Sequence, residues 1–159
     1  MTKEIPLSRG MVAIVDDIDY EWLSQWKWQA NPSKSTFYAD RRPGTWPFRK
    51  VIKMHRIIIN APPGIECDHI DGNGLNNVRS NLRLATHSQN IQNTKRRIDG
   101  VSGYKGVTAN GNNWKACIKI DGHQFYLGTF KTKEEAARVY DAKARELFGK
   151  FARPNFKEE

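Results

Sequence analysis

Residues 67–77 read CDHIDGNGLNN, and residues 80–93 continue as SNLRLATHSQNIQN. The first segment is too polar for a core and too rich in metal- and proton-handling side chains for an ordinary turn. On either side, IECDH and NLRLA are short enough to be strands flanking a polar loop. A helix is expected from THSQN, with Thr86 as N-cap and Gln89 completing a capping box. That spacing puts Asn90 one turn into the helix and Asn93 on the same face.

The chain around this loop has 159 residues, enough for one ordinary domain or two small ones. Its apolar fraction of 38% argues against a single large core. Lys and Arg outnumber Asp and Glu by 26 to 17, for a net charge of +9. Residues 1–94 carry +3 of this and residues 95–159 carry +6. Both parts favour a polyanionic partner, the second more strongly. Cys67 and Cys117 are far apart, with neither zinc-site nor disulfide-framework spacing. No apolar run spans a bilayer, and MTKEIPLSRG has no signal-peptide pattern. The expectation is a cytoplasmic protein, not secreted, with no membrane and no small-molecule substrate.

Residues 5–60 are read as strand (MVAIV), short helix (DDIDYEWLSQWKW) and strands (STFYADRR, RKVIKMHRIII), with a turn at NPSKS. Trp22, Trp26 and Trp28 are expected in the core. APPG at 61–64 resets the chain direction, and 95–103 forms a basic linker in which Arg96 and Arg97 can touch phosphate. Further on, Asp121-Gly122 closes a two-residue hairpin that pairs Ile120 with His123, Lys119 with Gln124, Ile118 with Phe125 and Cys117 with Tyr126. Trp114, Ala116, Ile118, Phe125 and Leu127 then share an apolar face; Lys115, Lys119, Gln124 and Tyr126 share the other. YKGVTA is a candidate third strand. A helix capped by Thr132 and Glu135, ending at Gly149, covers the apolar face with Ala136, Tyr140, Ala144 and Leu147. The free basic face suits a major groove.

The chemistry of the polar loop has several readings. No H-E-x-x-H is present, and DHIDGNG fails the EF-hand spacing at Ile70. A Cys67–His69 nucleophile pair lacks the rest of an acyl-transfer site. Metal-assisted phosphodiester cleavage fits better, with His69 as base and oxygen donors from Asp68 and Asn90 suited to Mg²⁺ or Mn²⁺. On spacing alone, a purely structural polar loop stays open beside it.

Asp68-His69, Asn81 twelve residues after the histidine, and Asn90 nine further on together resemble the H-N-H nuclease motif. The stretch resembles in particular the homing-endonuclease branch whose last histidine is an asparagine. It covers about forty residues, MHRIIINAPPGIECDHIDGNGLNNVRSNLRLATHSQNIQN, and the leader EIPLSRGMVAIVDDIDYEWLSQWKW also looks like that of phage and bacterial members. The resemblance implies an α+β fold with a ββα-metal (His-Me finger) nuclease domain. In it, His69 and Asn81 belong to the catalytic set, Asn81 by bracing the loop, and Asp68 and Asn90 bind the metal. His55, His87, Asn77 and Asn93 lie in or beside the matching stretch, without firm roles.

Residues from Gly103 to Phe156, GYKGVTANGNNWKACIKIDGHQFYLGTFKTKEEAARVYDAKARELFGKFARPNF, resemble the Apetala/ethylene-response-factor DNA-binding domain. This implies a three-stranded antiparallel sheet packed on one helix. Its DNA-contact positions are Lys105, Gly106, Lys119, Gln124 and Tyr126, with Lys115 on the same face. Thr108 and Asn110 stand where the plant domains have arginines, so the plant GC-rich target does not carry over.

The expected organisation is therefore a nuclease domain over 1–94 (strands 1–60, metal core 61–94), a linker over 95–103 and a DNA-binding domain over 104–157. The expected activity is a metal-dependent, site-preferring DNA endonuclease that nicks double-stranded DNA as a monomer. A non-catalytic DNA-binding regulator with an inactive finger is the alternative. An RNA-binding protein is a third reading, and it predicts preference for single strands.

Overall fold

The computed structural model describes residues 1–33, 35–45, 47, 49–94 and 101–156. The linker assigned to 95–103 lies outside these residues except at 101–103, and so do Arg96, Arg97 and position 157. The chain forms two compact units, Met1–His87 and Ser88–Glu159. The division falls inside the segment assigned to the nuclease domain from sequence. No described helix is long and apolar enough to cross a membrane.

The first unit begins with an antiparallel pair, β1 (Thr2–Pro6) and β2 (Val12–Asp16). Helix α1 (Asp17–Leu23) follows. Strands β3 (Gln29–Pro32), β4 (Phe37–Arg41) and β5 (Ile52–Lys53) then make a three-stranded sheet in that order. Alternation along β1 and β2 turns Ile5, Ala13 and Val15 inward, where they meet Leu23, Trp28 and Ala39. Trp28 is core as expected, and its Nε1 donates to the Leu23 carbonyl at 2.8 Å. Trp26 is the exception: it is partly exposed, with the Arg41 guanidinium 4.2 Å from its ring centroid.

One element differs from expectation. RKVIKMHRIII is strand only at Ile52–Lys53 and becomes helix α2 (Met54–Ile58). The branched residues suggest a strand, but Met54 and Ile58, four apart, both enter the core, which requires a helical turn. Arg56 holds the end of that turn by donating to the carbonyls of Ala61 (3.2 Å), Pro62 (2.9 Å) and Ile65 (2.7 Å). The hairpin of β6 (Glu66–His69) and β7 (Leu82–Ala85) comes next, followed by α3 (His87–Gln92), which starts directly after Thr86. From Ser88 onward α3 belongs to the second unit.

In the second unit β8 (Val107–Asn110), β9 (Asn113–Ile120) and β10 (His123–Phe130) form an antiparallel sheet ordered β10-β9-β8, and α4 (Lys133–Phe148) packs on it. The four expected hairpin pairs are present, with Asp121 and Gly122 both at positive φ. A bulge between Tyr126 and Gly128 then shifts the register, so that Gly128 pairs with Ala116 and Leu127 reaches the core. Ala116 and Ile118 are buried as expected. Phe125 is not: on the edge strand it remains 50% exposed.

The Thr132–Glu135 capping box forms in both directions. Leu147 is 39% exposed, and the buried stripe of α4 is Ala136, Ala137, Tyr140, Asp141 and Ala144. The aspartate is compensated. Its Oδ1 accepts from Asn155 N (2.8 Å) and Nδ2 (2.9 Å), and its Oδ2 from Phe156 N (2.9 Å). Asn155 in turn accepts from Lys105 N (2.6 Å) and donates to Lys105 O (3.1 Å). One buried carboxylate thus ties the segment after α4 to the segment before β8. Asp141→Ala should lose about 3 kcal/mol of stability, because it strands three donors. Urea unfolding followed by tryptophan fluorescence measures this, and a loss under about 1 kcal/mol would show that the closure does not depend on the carboxylate.

Candidate active site

The loop between β6 and β7 is built by its own side chains. Asp71 Oδ1 accepts from Asn73 N (2.7 Å) and Asn81 Nδ2 (3.0 Å), while Oδ2 accepts from Asn76 Nδ2 (2.8 Å). Asn81 returns the contact by accepting from Asp71 N (3.0 Å), and its Nδ2 also donates to Asn76 O (2.8 Å). Partial burial works to raise the Asp71 pKa. Those three donors and nearby His69 outweigh it and hold the carboxyl below its ordinary range. Asn81 therefore ties the two ends of the loop together through these hydrogen bonds. At Gly74 the loop meets the β3–β4 hairpin, where a Cβ would lie 2.4 Å from the Phe37 carbonyl and 2.6 Å from the Tyr38 ring. Only glycine fits.

This frame holds His69 at the end of β6, 4% exposed. Its ring centroid is 5.6 Å from Tyr38 and 5.0 Å from His55, and those two are 5.2 Å apart. Nε2 of His69 lies 3.3 Å from Asn77 Oδ1. Burial lowers the His69 pKa, against the opposing pull of Asn77 and the Asp71 and Asp68 carboxylates. The imidazole is thus biased toward the neutral form, the form that accepts a proton. His55 is pushed down to about 3, first by burial and then by His69, Lys53 and Arg56. Its Nδ1 is buried with no hydrogen-bond partner among the described residues. Sequence reasoning gave His55 a packing or DNA-contact role outside catalysis and missed Tyr38 altogether; thirty residues from the motif, Tyr38 carries no spacing signal.

Asp68 stands opposite Arg83 in the hairpin register, and Arg83 Nε and Nη2 reach its Oδ2 at 2.7 and 2.6 Å. Carboxylate and guanidinium are both largely buried, so the pair is held rigidly. Burial drives the Cys67 thiol up to about 12, and its Sγ donates to the His55 carbonyl at 3.8 Å. A thiol so protonated is no nucleophile, which removes the Cys67–His69 reading. Among the described residues no group of three or more His, Cys, Asp or Glu could hold a metal. Asp68 offers hard carboxylate oxygens, a donor type that suits a divalent cation of the magnesium type. Asn90 lies on the part of α3 that belongs to the second unit. His87 Nδ1 is 2.7 Å from Glu66 Oε1, and Asn93 is buried with its carbonyl accepting from Arg153.

On the second unit, Lys115, Lys119, Gln124 and Tyr126 share the sheet face away from α4. Lys119 pairs with Gln124, and Lys115 Nζ sits 5.8 Å from the Tyr126 ring centroid. Lys105 and Gly106 also have structural tasks. Lys105 Nζ donates to the carbonyls of Gln92 (2.6 Å) and Thr94 (3.1 Å), capping the end of α3. Burial, then Arg153, pushes its pKa down to about 8. A Cβ on Gly106 would fall 2.1 Å from the Tyr140 ring.

The family model for HNH endonucleases matches residues 54–92, the segment that carries α2, the hairpin and α3. An uncharacterized HNH endonuclease of Acanthamoeba polyphaga mimivirus is 36% identical over 147 residues, covering 92% of this chain and 76% of that protein. The chain belongs to the HNH endonuclease family. Protein 3.8 of Escherichia phage T7 is also similar, 37% identical over 94 residues, 58% of this chain and 77% of its own. A third relative is an ethylene-responsive transcription factor-like protein of Arabidopsis thaliana. It is 44% identical over 52 residues, 33% of this chain but only 22% of that protein. HNH membership supports nuclease activity on a divalent-metal site, and the second likeness supports DNA binding.

The buried histidines of the HNH site have a consequence for stability. The folded-state pKa of His55 lies below its unfolded value of 6.5, so between about 6.5 and 3 the unfolded chain binds a proton that the folded chain excludes. Its contribution is complete above pH 6.5 and is lost as pH falls, amounting to roughly 5 kcal/mol at most. His69 acts in the same direction. Urea unfolding from pH 7 to pH 4 should give a steep decline in the wild type and a shallower one in His55→Phe. Equal slopes would mean that His55 is not the source.

Proposed function

We propose that the chain is a site-preferring DNA endonuclease of the homing type, which nicks one strand per visit as a monomer. The observation that carries this reading is a buried histidine biased to its neutral form, next to a clamped carboxylate on the HNH hairpin. His69 takes a proton from the attacking water, and the hydroxide so formed meets the phosphorus in line with the leaving oxygen. Asp68 and Asn90 are the residues that would hold Mg²⁺ or Mn²⁺, and a bound cation supplies charge stabilisation for the phosphate and the leaving oxygen. Tyr38 and His55 keep bulk water off the imidazole. Asn81 keeps the loop in shape. Lys115, Lys119, Gln124 and Tyr126 target the enzyme by entering a groove of duplex DNA, where charge gives affinity and base edges give preference. The likeness of this segment to an ethylene-responsive transcription factor-like protein supports that assignment.

Supercoiled plasmid carrying a target site should become relaxed circles with Mg²⁺ and stay intact with chelator. His69→Ala should slow the reaction by a factor of about 10² or more. Binding without cutting at a true target would favour the non-catalytic regulator, and linear product from the first turnover would overturn single-strand nicking. Separately, Lys119→Ala should weaken duplex binding and reduce its log–log salt slope by about one. An unchanged slope would remove that sheet face as the contact surface.

A further inference from the structure

Asn77 is fully buried, at 0% exposure, in a loop whose other asparagines are used for bracing. Every polar group of its side chain is committed. Nδ2 donates to the Leu75 carbonyl at 3.1 Å, and Oδ1 faces His69 Nε2 at 3.3 Å. The backbone fixes the residue as firmly. Asn77 N donates to Ile14 O at 2.7 Å, and Ile14 N donates to Leu75 O at 2.9 Å, so β2 grips the loop on both sides of Asn77. Turning the amide over would set Oδ1 against the Leu75 carbonyl, two acceptors in contact with no proton between them. It would also present an N–H to Nε2. The orientation with oxygen toward the histidine is therefore selected by Leu75, independently of the histidine.

A neutral imidazole carries its proton on one nitrogen only, and the hydrogen bond made by the other group decides which. An acceptor opposite Nε2 requires the proton there. We infer that Asn77 is the positioning residue of the site: its side-chain carbonyl holds His69 as the Nε2–H tautomer and so makes Nδ1 the atom that takes the proton from water. The packing of Tyr38 and His55 around the ring opposes the half-turn that would exchange the two nitrogens. This role rests on the nuclease reading, but the tautomer itself is a property of the uncomplexed protein.

The test is a long-range ¹H–¹⁵N spectrum of the histidine side chains in the whole protein, recorded well above the ordinary imidazole pKa. The Nε2–H and Nδ1–H forms give different patterns of nitrogen shifts. Wild-type His69 should show the Nε2–H pattern. An Nδ1–H pattern overturns the inference, whether or not the protein cuts DNA. An Nε2–H pattern in a protein that never cuts its target faults the cleavage reading alone. Asn77→Leu removes the acceptor at nearly constant size. It should mix the tautomers and lower kcat by about 10² while leaving DNA affinity unchanged. Wild-type turnover in Asn77→Leu, or an unchanged Nε2–H pattern in that variant, counts against the role. Should the variant fail to fold, the wild-type spectrum still decides.

Discussion

The interaction on which the first unit depends is the docking of the polar loop onto β2. A two-stranded hairpin as short as β6–β7 is marginal in water and cannot by itself keep a histidine dry. Here Ile14 bonds through its backbone to Leu75 and Asn77, and Asp16 Oδ2 accepts from Arg79 N at 2.7 Å. Asp19, fully buried, takes the Arg79 guanidinium on both oxygens at 2.7 Å and the Trp22 indole at 3.2 Å. A buried carboxylate with these partners is compensated, whereas removing the half-exposed Arg79 would strand it. The leader strands are thus a structural part of the nuclease, since they fix the loop that fixes His69.

The second unit solves the same problem differently. Its core is thin, made largely of alanines on α4 against Val107, Ala116 and Ile118. Small residues let helix and sheet approach closely, and Gly106 under the Tyr140 ring marks how close. Apolar area alone gives a small sheet little margin. The hydrogen-bonded closure through Asp141 and Asn155 adds order where hydrophobic burial is scarce.

Much of this could be read in the sequence where the cause was local. The Asp121-Gly122 turn set the β9–β10 register, the Thr132–Glu135 box set the start of α4, and the Asp-His-loop-strand order set the HNH hairpin. What escaped was decided by tertiary context. α2 is helical because Met54 and Ile58 must reach one core, against the preference of three successive isoleucines. The bulge at Leu127 and the exposure of Phe125 depend on where α4 lies over an edge strand. Asp141 reads as one more polar helix residue until its partners fourteen and fifteen residues on are seen. In the site, Asp68 and His69 were legible as a motif, but the ring of Tyr38, the unpartnered His55 nitrogen and the orientation of Asn77 come from chain segments that only folding brings together.

The Asp141–Asn155–Lys105 closure also sets how the DNA-binding unit can be moved between proteins. Its two ends, before β8 and after α4, are stitched to each other through one side chain. A transplanted module cut before Asn155 would lose the link at both ends at once, since the same amide serves the carboxylate and the Lys105 backbone. One carried through Phe156 keeps the seam whole. The modularity suggested by finding this unit beside a nuclease here, and in a plant transcription factor-like relative, has a defined minimum edge.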